Sequence, residues 1–111
     1  MSPRDWRLYA DDILQSCEKI RRYVAGMTYE AFVADERTRD AVIRNLEIIG
    51  EAAKKVPAET RAKASTVDWR KVCGMRDVVS HEYFGIDLNV VWSTATTKID
   101  ELEAAVRGLL E

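Results

Sequence analysis

Along most of the chain, apolar side chains recur every three or four residues, the spacing that lines one face of an α-helix. Trp6, Ile13, Cys17, Ile20 and Val24 do so between Arg4 and Ala25, and Gly26 stands where a helix would end. "TYEAFVAD" predicts a short helical turn opened by Thr28 and closed near Asp35. Asp35 can cap the next helix, in which Val42, Leu46, Ile49, Ala53 and Val56 alternate by four and three until Pro57 stops it. After a short connecting segment, Asp68 is the expected cap of a helix starting at Trp69 and ending near Gly85. Asp87 caps the last helix, where Leu88, Trp92, Ala95, Ile99, Leu102, Val106 and Leu109 keep the same rhythm. No strand is expected. Four amphipathic helices with short links predict an all-α fold, an antiparallel bundle that buries its stripes together.

Composition changes this picture little. The 111 residues suffice for one domain with a core and are too few for two, so a single domain over 1–111 is expected. A net charge of −2 argues against a protein that coats nucleic acid through bulk positive charge, though not against a local basic groove. Arg21–Arg22, Lys54–Lys55 and Arg70–Lys71 are short basic clusters that read first as solvated helix faces. No apolar run approaches the roughly 18 residues of a membrane span, and "MSPRDWRLYADD" has no apolar signal region. The expected address is cytoplasmic, with no membrane partner. Cys17 and Cys73 lie far apart in apolar helical contexts and read as buried free thiols. One histidine and two cysteines at no ligand spacing suggest no zinc site, and no glycine-rich phosphate loop is present. Neither metal nor cofactor is expected.

Two stretches resist the simple bundle. Gly50 interrupts the long helix at "EIIGEAA", at a cost of about 1 kcal/mol against alanine unless another backbone approaches closely there. The second is "CGMRDVVSHEYFGID", residues 73–87, which holds the one histidine of the chain. On a regular helix from Trp69 the apolar stripe is Trp69, Val72, Met75 and Val79, and Arg76 falls inside it. A guanidinium there needs either a carboxylate on a neighbouring helix or a role in a cleft or subunit seam that receives an anion. His81 lies about 140° around the axis from Arg76. Either the helix loosens before Gly85, or the two residues meet across a dimer interface. Asp77, four residues before His81, can simply pair with it.

"MRDVVSHEYF" resembles the signature of HEPN domains, an arginine followed after four to six residues by a histidine. Arg76, four residues, His81, one residue and Tyr83 together resemble the HepT-like branch. The blocks "AVIRNLEIIGEAAKK" and "WRKVCGMRD" look like that branch too, in the same order. The resemblance implies a four- to five-helix bundle that forms a homodimer. It implies a metal-independent endoribonuclease, the toxin of a toxin–antitoxin pair, acting on RNA such as mRNA or tRNA. It further implies a minimal nucleotidyltransferase as partner, which silences the toxin by transferring AMP to the motif tyrosine. Carried onto this chain, Arg76 and His81 become the catalytic pair and Tyr83 the modified residue, with Asp77, Glu82, Asn45 and Glu51 in support. Glu51 can equally answer Lys54 or Lys55 on its own helix.

The residue types suit that chemistry. RNA carries its own nucleophile, the 2′-hydroxyl, and a group titrating near neutrality can take its proton or protonate the departing 5′ oxygen. A fixed guanidinium can stabilise the charge that builds on phosphorus. One imidazole cannot be base and acid at once; a two-fold dimer that brings two His81 side chains to one cleft resolves the shortage. The competing readings are a non-catalytic HEPN subunit, binding a nucleotide or scaffolding the nucleotidyltransferase, and a plain helical interaction protein.

Overall fold

The computed structural model describes residues 5–81 and 87–111, with side chains for 5–75 and 87–111. Among these residues every regular element is helical. Helix α1 spans Trp6–Val24, α2 Tyr29–Ala34, α3 Glu36–Lys55, α4 Ala58–Arg61, α5 Trp69–His81, α6 Leu88–Ser93 and α7 Ile99–Leu110, with a π-helical turn Thr94–Lys98 joining the last two.

Short polar side chains set the starts. Asp5, Thr28, Asp35 and Asp87 accept hydrogen bonds from backbone N–H groups of the turns they open, satisfying donors that have no partner within the helix. Asp68 does the same for α5, its Oδ1 accepting from the Lys71 N–H at 3.3 Å. Two bonds from Thr38, backbone first and hydroxyl second, hold the Asp35 carboxyl below its ordinary pKa of 3.8. Gly26, at φ +75°, turns the chain out of α1 in the left-handed region that side chains disfavour. Pro57 ends α3 as expected, but the segment after it forms the one-turn helix α4.

The core forms around α1, which packs against both α3 and α7. Ile13, Ile20, Phe32, Val42, Leu46, Ile49, Ile99 and Val106 are fully buried, each stabilising the fold by about 1.5–3 kcal/mol relative to exposure. Cys17 is buried among them as a free thiol, its pKa pushed from 9.0 to about 12 by desolvation first and by Glu103 second. Cys73 is also free and half-buried. Gly50 is buried in an unbroken α3. Arg21 joins α1 to α7 through Asp100 at 3.0 Å and Glu103 at 3.1 Å, and those carboxylates raise its pKa further. Among the described residues no helix is long and apolar enough to cross a membrane.

Two features depart from four plain helices. One is α4. The other is the π turn, where the Thr96 and Thr97 hydroxyls donate to the Trp92 and Ser93 carbonyls at 2.7 and 2.6 Å. Such back-bonding competes with the regular helical ladder.

Candidate functional site

The motif is carried by α5, and α5 is positioned by what precedes it. Its chief packing partner is α3. Val72 is buried against the core, with Trp69, Cys73 and Met75 half-buried beside it. The Trp69 indole N–H donates to the Ala64 carbonyl at 3.0 Å, fixing the first turn. Arg61 acts as a strut: its Nε donates to the Val56 carbonyl at the end of α3, and a terminal nitrogen donates to Cys73 Sγ, both at 3.0 Å. One guanidinium therefore ties α3 to the helix bearing the motif. The sequence reading missed it, because Arg61 lies outside every apolar stripe and reads as a loop residue.

The backbone of α5 is helical without interruption through Arg76 and His81. At about 100° per residue, these two positions lie about 140° apart around the axis. Loosening between Arg76 and His81, one of the two ways to bring them together, does not occur. Asp77 belongs to the same helical run. Glu82, Tyr83 and the expected helix end at Gly85 lie outside the described residues, as do the side chains of Arg76, Asp77 and His81.

The supporting residues from α3 divide. Asn45 is buried, 6% exposed, and its Nδ2 donates to the Ala41 carbonyl at 2.9 Å. Its Oδ1 is buried and has no partner among the described residues. Glu51 is exposed and lies 3.9 Å from Lys54 on its own helix.

A model of the HepT-like ribonuclease family matches residues 13–109. The chain is 45% identical over 105 residues to "Putative RNase TTE0752" of Caldanaerobacter subterraneus subsp. tengcongensis, covering 95% of this chain and 94% of that one. It is 39% identical over 111 residues to "Putative RNase MJ1216" of Methanocaldococcus jannaschii, covering 100% and 92%. It is 38% identical over 106 residues to "Probable ribonuclease HepT" of Thermococcus cleftensis, covering 96% of each. No solved structure gives a significant match.

Proposed function

Because the chain belongs to the HepT-like ribonuclease family, we propose that it is a metal-independent endoribonuclease whose Arg76 and His81 act at a cleft shared by two copies. The observation that carries the shared cleft is the continuity of α5. An unbroken helix turns positions 76 and 81 to different sides, and the chain has one histidine for two proton transfers. Two copies related by a two-fold axis supply two imidazoles.

In the reaction, one His81 takes the proton of the 2′-hydroxyl as its oxygen bonds to phosphorus. The other His81 gives a proton to the 5′ oxygen as the P–O5′ bond breaks. Arg76 stabilises the charge on the phosphorane. The products are a 2′,3′-cyclic phosphate and a 5′-hydroxyl.

The same reading makes the protein the toxin of a toxin–antitoxin pair, with a minimal nucleotidyltransferase as antitoxin. The Tyr83 hydroxyl attacks the α-phosphorus of ATP, pyrophosphate leaves, and AMP stays esterified to the phenol. Magnesium belongs to that transfer and not to the nuclease. The added phosphate repels the RNA backbone and the adenine fills its path.

The test is cleavage of total RNA and a tRNA pool in EDTA. His81→Ala is expected to abolish cleavage, at least about 100-fold, with helical circular dichroism and melting temperature nearly unchanged. A folded His81→Ala protein that still cuts RNA removes the catalytic assignment.

A further inference from the structure

An open groove of about 540 Å³ lies where the start of α1, the end of α7 and the link from α4 to α5 meet. Trp6 and Arg7 form one side of it, with Ala105 and Gly108 of α7 beside them. Thr60, Lys63, Ser65 and Thr66 form the other. Consecutive turns hold this second side in place. The Lys63 N–H donates to the Thr60 carbonyl, the Ala64 N–H to Arg61 and the Val67 N–H to Ala64. The Trp69 indole also donates to Ala64. A methyl group placed on Gly108 meets nothing within 4 Å, so the space above it is free.

The lining is rich in donors. The Trp6 indole, the Arg7 guanidinium, the Lys63 ammonium and the hydroxyls of Thr60, Ser65 and Thr66 can all donate, against one carboxylate side chain, Glu111. Arg7 meets Asp5 at 3.5 Å, an exposed pair and so a weak one. Lys63 has no ion pair among the described residues. In a chain of net charge −2, two cations against one anion make a local reversal of sign. Donors of this kind call for a ligand made of acceptors, as phosphate is. Trp6 adds a ring to them. The Arg7 Cζ lies 5.0 Å from its centroid, so the two form one cation–π surface. Cations beside an aromatic face are what a groove for single-stranded nucleic acid is made of.

The groove is remote from the motif. Its link segment precedes Trp69, and position 81 lies about 18 Å farther along α5 at 1.5 Å per residue. A strand rising about 3.4 Å per nucleotide, as within a duplex, covers that span in roughly five nucleotides. We propose that this groove is an exosite for the RNA substrate, holding backbone phosphates several nucleotides away from the bond that is cut. The inference takes its ligand from the nuclease reading but uses no residue of the motif. It makes substrate length a determinant of affinity, since only a longer strand reaches both places.

The test uses a labelled RNA of about 20 nucleotides, long enough to span both places, 2′-O-methylated so that it carries no nucleophile. Fluorescence anisotropy in EDTA gives its affinity. Cleavage of the unmodified strand and of a trinucleotide is followed on the same samples. Lys63→Glu reverses the charge of the groove. Gly108→Leu fills it with a residue that helices favour over glycine. Lys19→Glu, exposed on α1 and outside the groove, makes the same change of charge elsewhere. Circular dichroism checks that all three fold. Lys63→Glu and Gly108→Leu are each expected to weaken the long strand about tenfold, and Lys63→Glu to lower the salt slope by about one. Lys19→Glu should bind as the parent does. In the groove variants KM for the long strand rises, kcat holds, and trinucleotide cleavage is unchanged. Parent-like binding in either groove variant overturns the exosite. So does a loss that Lys19→Glu reproduces, or one that extends to the trinucleotide. A parent chain that binds the long strand through the groove yet cuts no RNA supports the exosite and overturns the nuclease reading.

Discussion

At position 83 a phenol serves better than a phenyl ring only if its hydroxyl is used. Tyr83→Phe removes that oxygen and keeps the ring, so it separates modification from packing. Co-expression with the cognate nucleotidyltransferase is expected to add one AMP mass to the peptide containing Tyr83. In Tyr83→Phe the added mass is absent, and RNA cleavage escapes silencing by this route. AMP found only on Tyr9, Tyr23 or Tyr29 would contradict the assignment. Arg61 matters for a different reason. Its two hydrogen bonds span the joint between α3 and α5. Arg61→Ala is expected to cost roughly 1–3 kcal/mol, or about 4–8 °C of melting temperature per kcal/mol. Cleavage should fall even well below the melting transition, because α5 is no longer braced. Arg61→Lys should recover little, since an ammonium cannot reproduce bonds made from both Nε and a terminal nitrogen. A variant with unchanged melting temperature and full cleavage would show that the strut is dispensable.

The starts of most helices were legible because a cap is a local event: a short acidic or hydroxyl side chain meets a backbone N–H two or three residues on. Thr28, Asp35, Asp68 and Asp87 all act this way. The stripe of α1, Ile13, Cys17, Ile20 and Val24, was legible for a non-local reason, since burial of one face imposes helical spacing. One-turn α4 escaped because it buries no side chain and so carries no stripe. The π turn escaped for the opposite reason. Trp92, Ala95 and Ile99 keep an apparently regular rhythm across it, while the threonine hydroxyls that accompany it leave no trace in hydrophobic period. The candidate site divides in the same way. The spacing of Arg76, His81 and Tyr83 was readable as a motif. The strut at Arg61 depends on the chain turning after α3 so that Val56 and Cys73 meet one guanidinium, a geometry that no periodicity records. That the Asn45 acceptor has no partner among the described residues could not be seen before burial was known.

At the scale of the whole molecule, the continuous α5 turns positions 76 and 81 apart. The proposed association of two copies would bring the two residue types together from different protomers. On that proposal, nuclease activity is expected to depend on protein concentration near the dimer dissociation constant, as for any site completed by mass action.

The most direct measurement is the activity of a mixed dimer, one wild-type copy and one His81→Ala copy, purified through two different affinity tags. If one cleft needs both imidazoles as base and acid, removing either disables it. The mixed dimer should then cleave RNA at least about 100-fold more slowly than the wild-type dimer, close to the doubly substituted one. If each copy instead carries a complete site, the mixed dimer should retain about half of the wild-type rate, because two independent sites of a symmetric dimer contribute equally. A value near half would contradict the shared cleft.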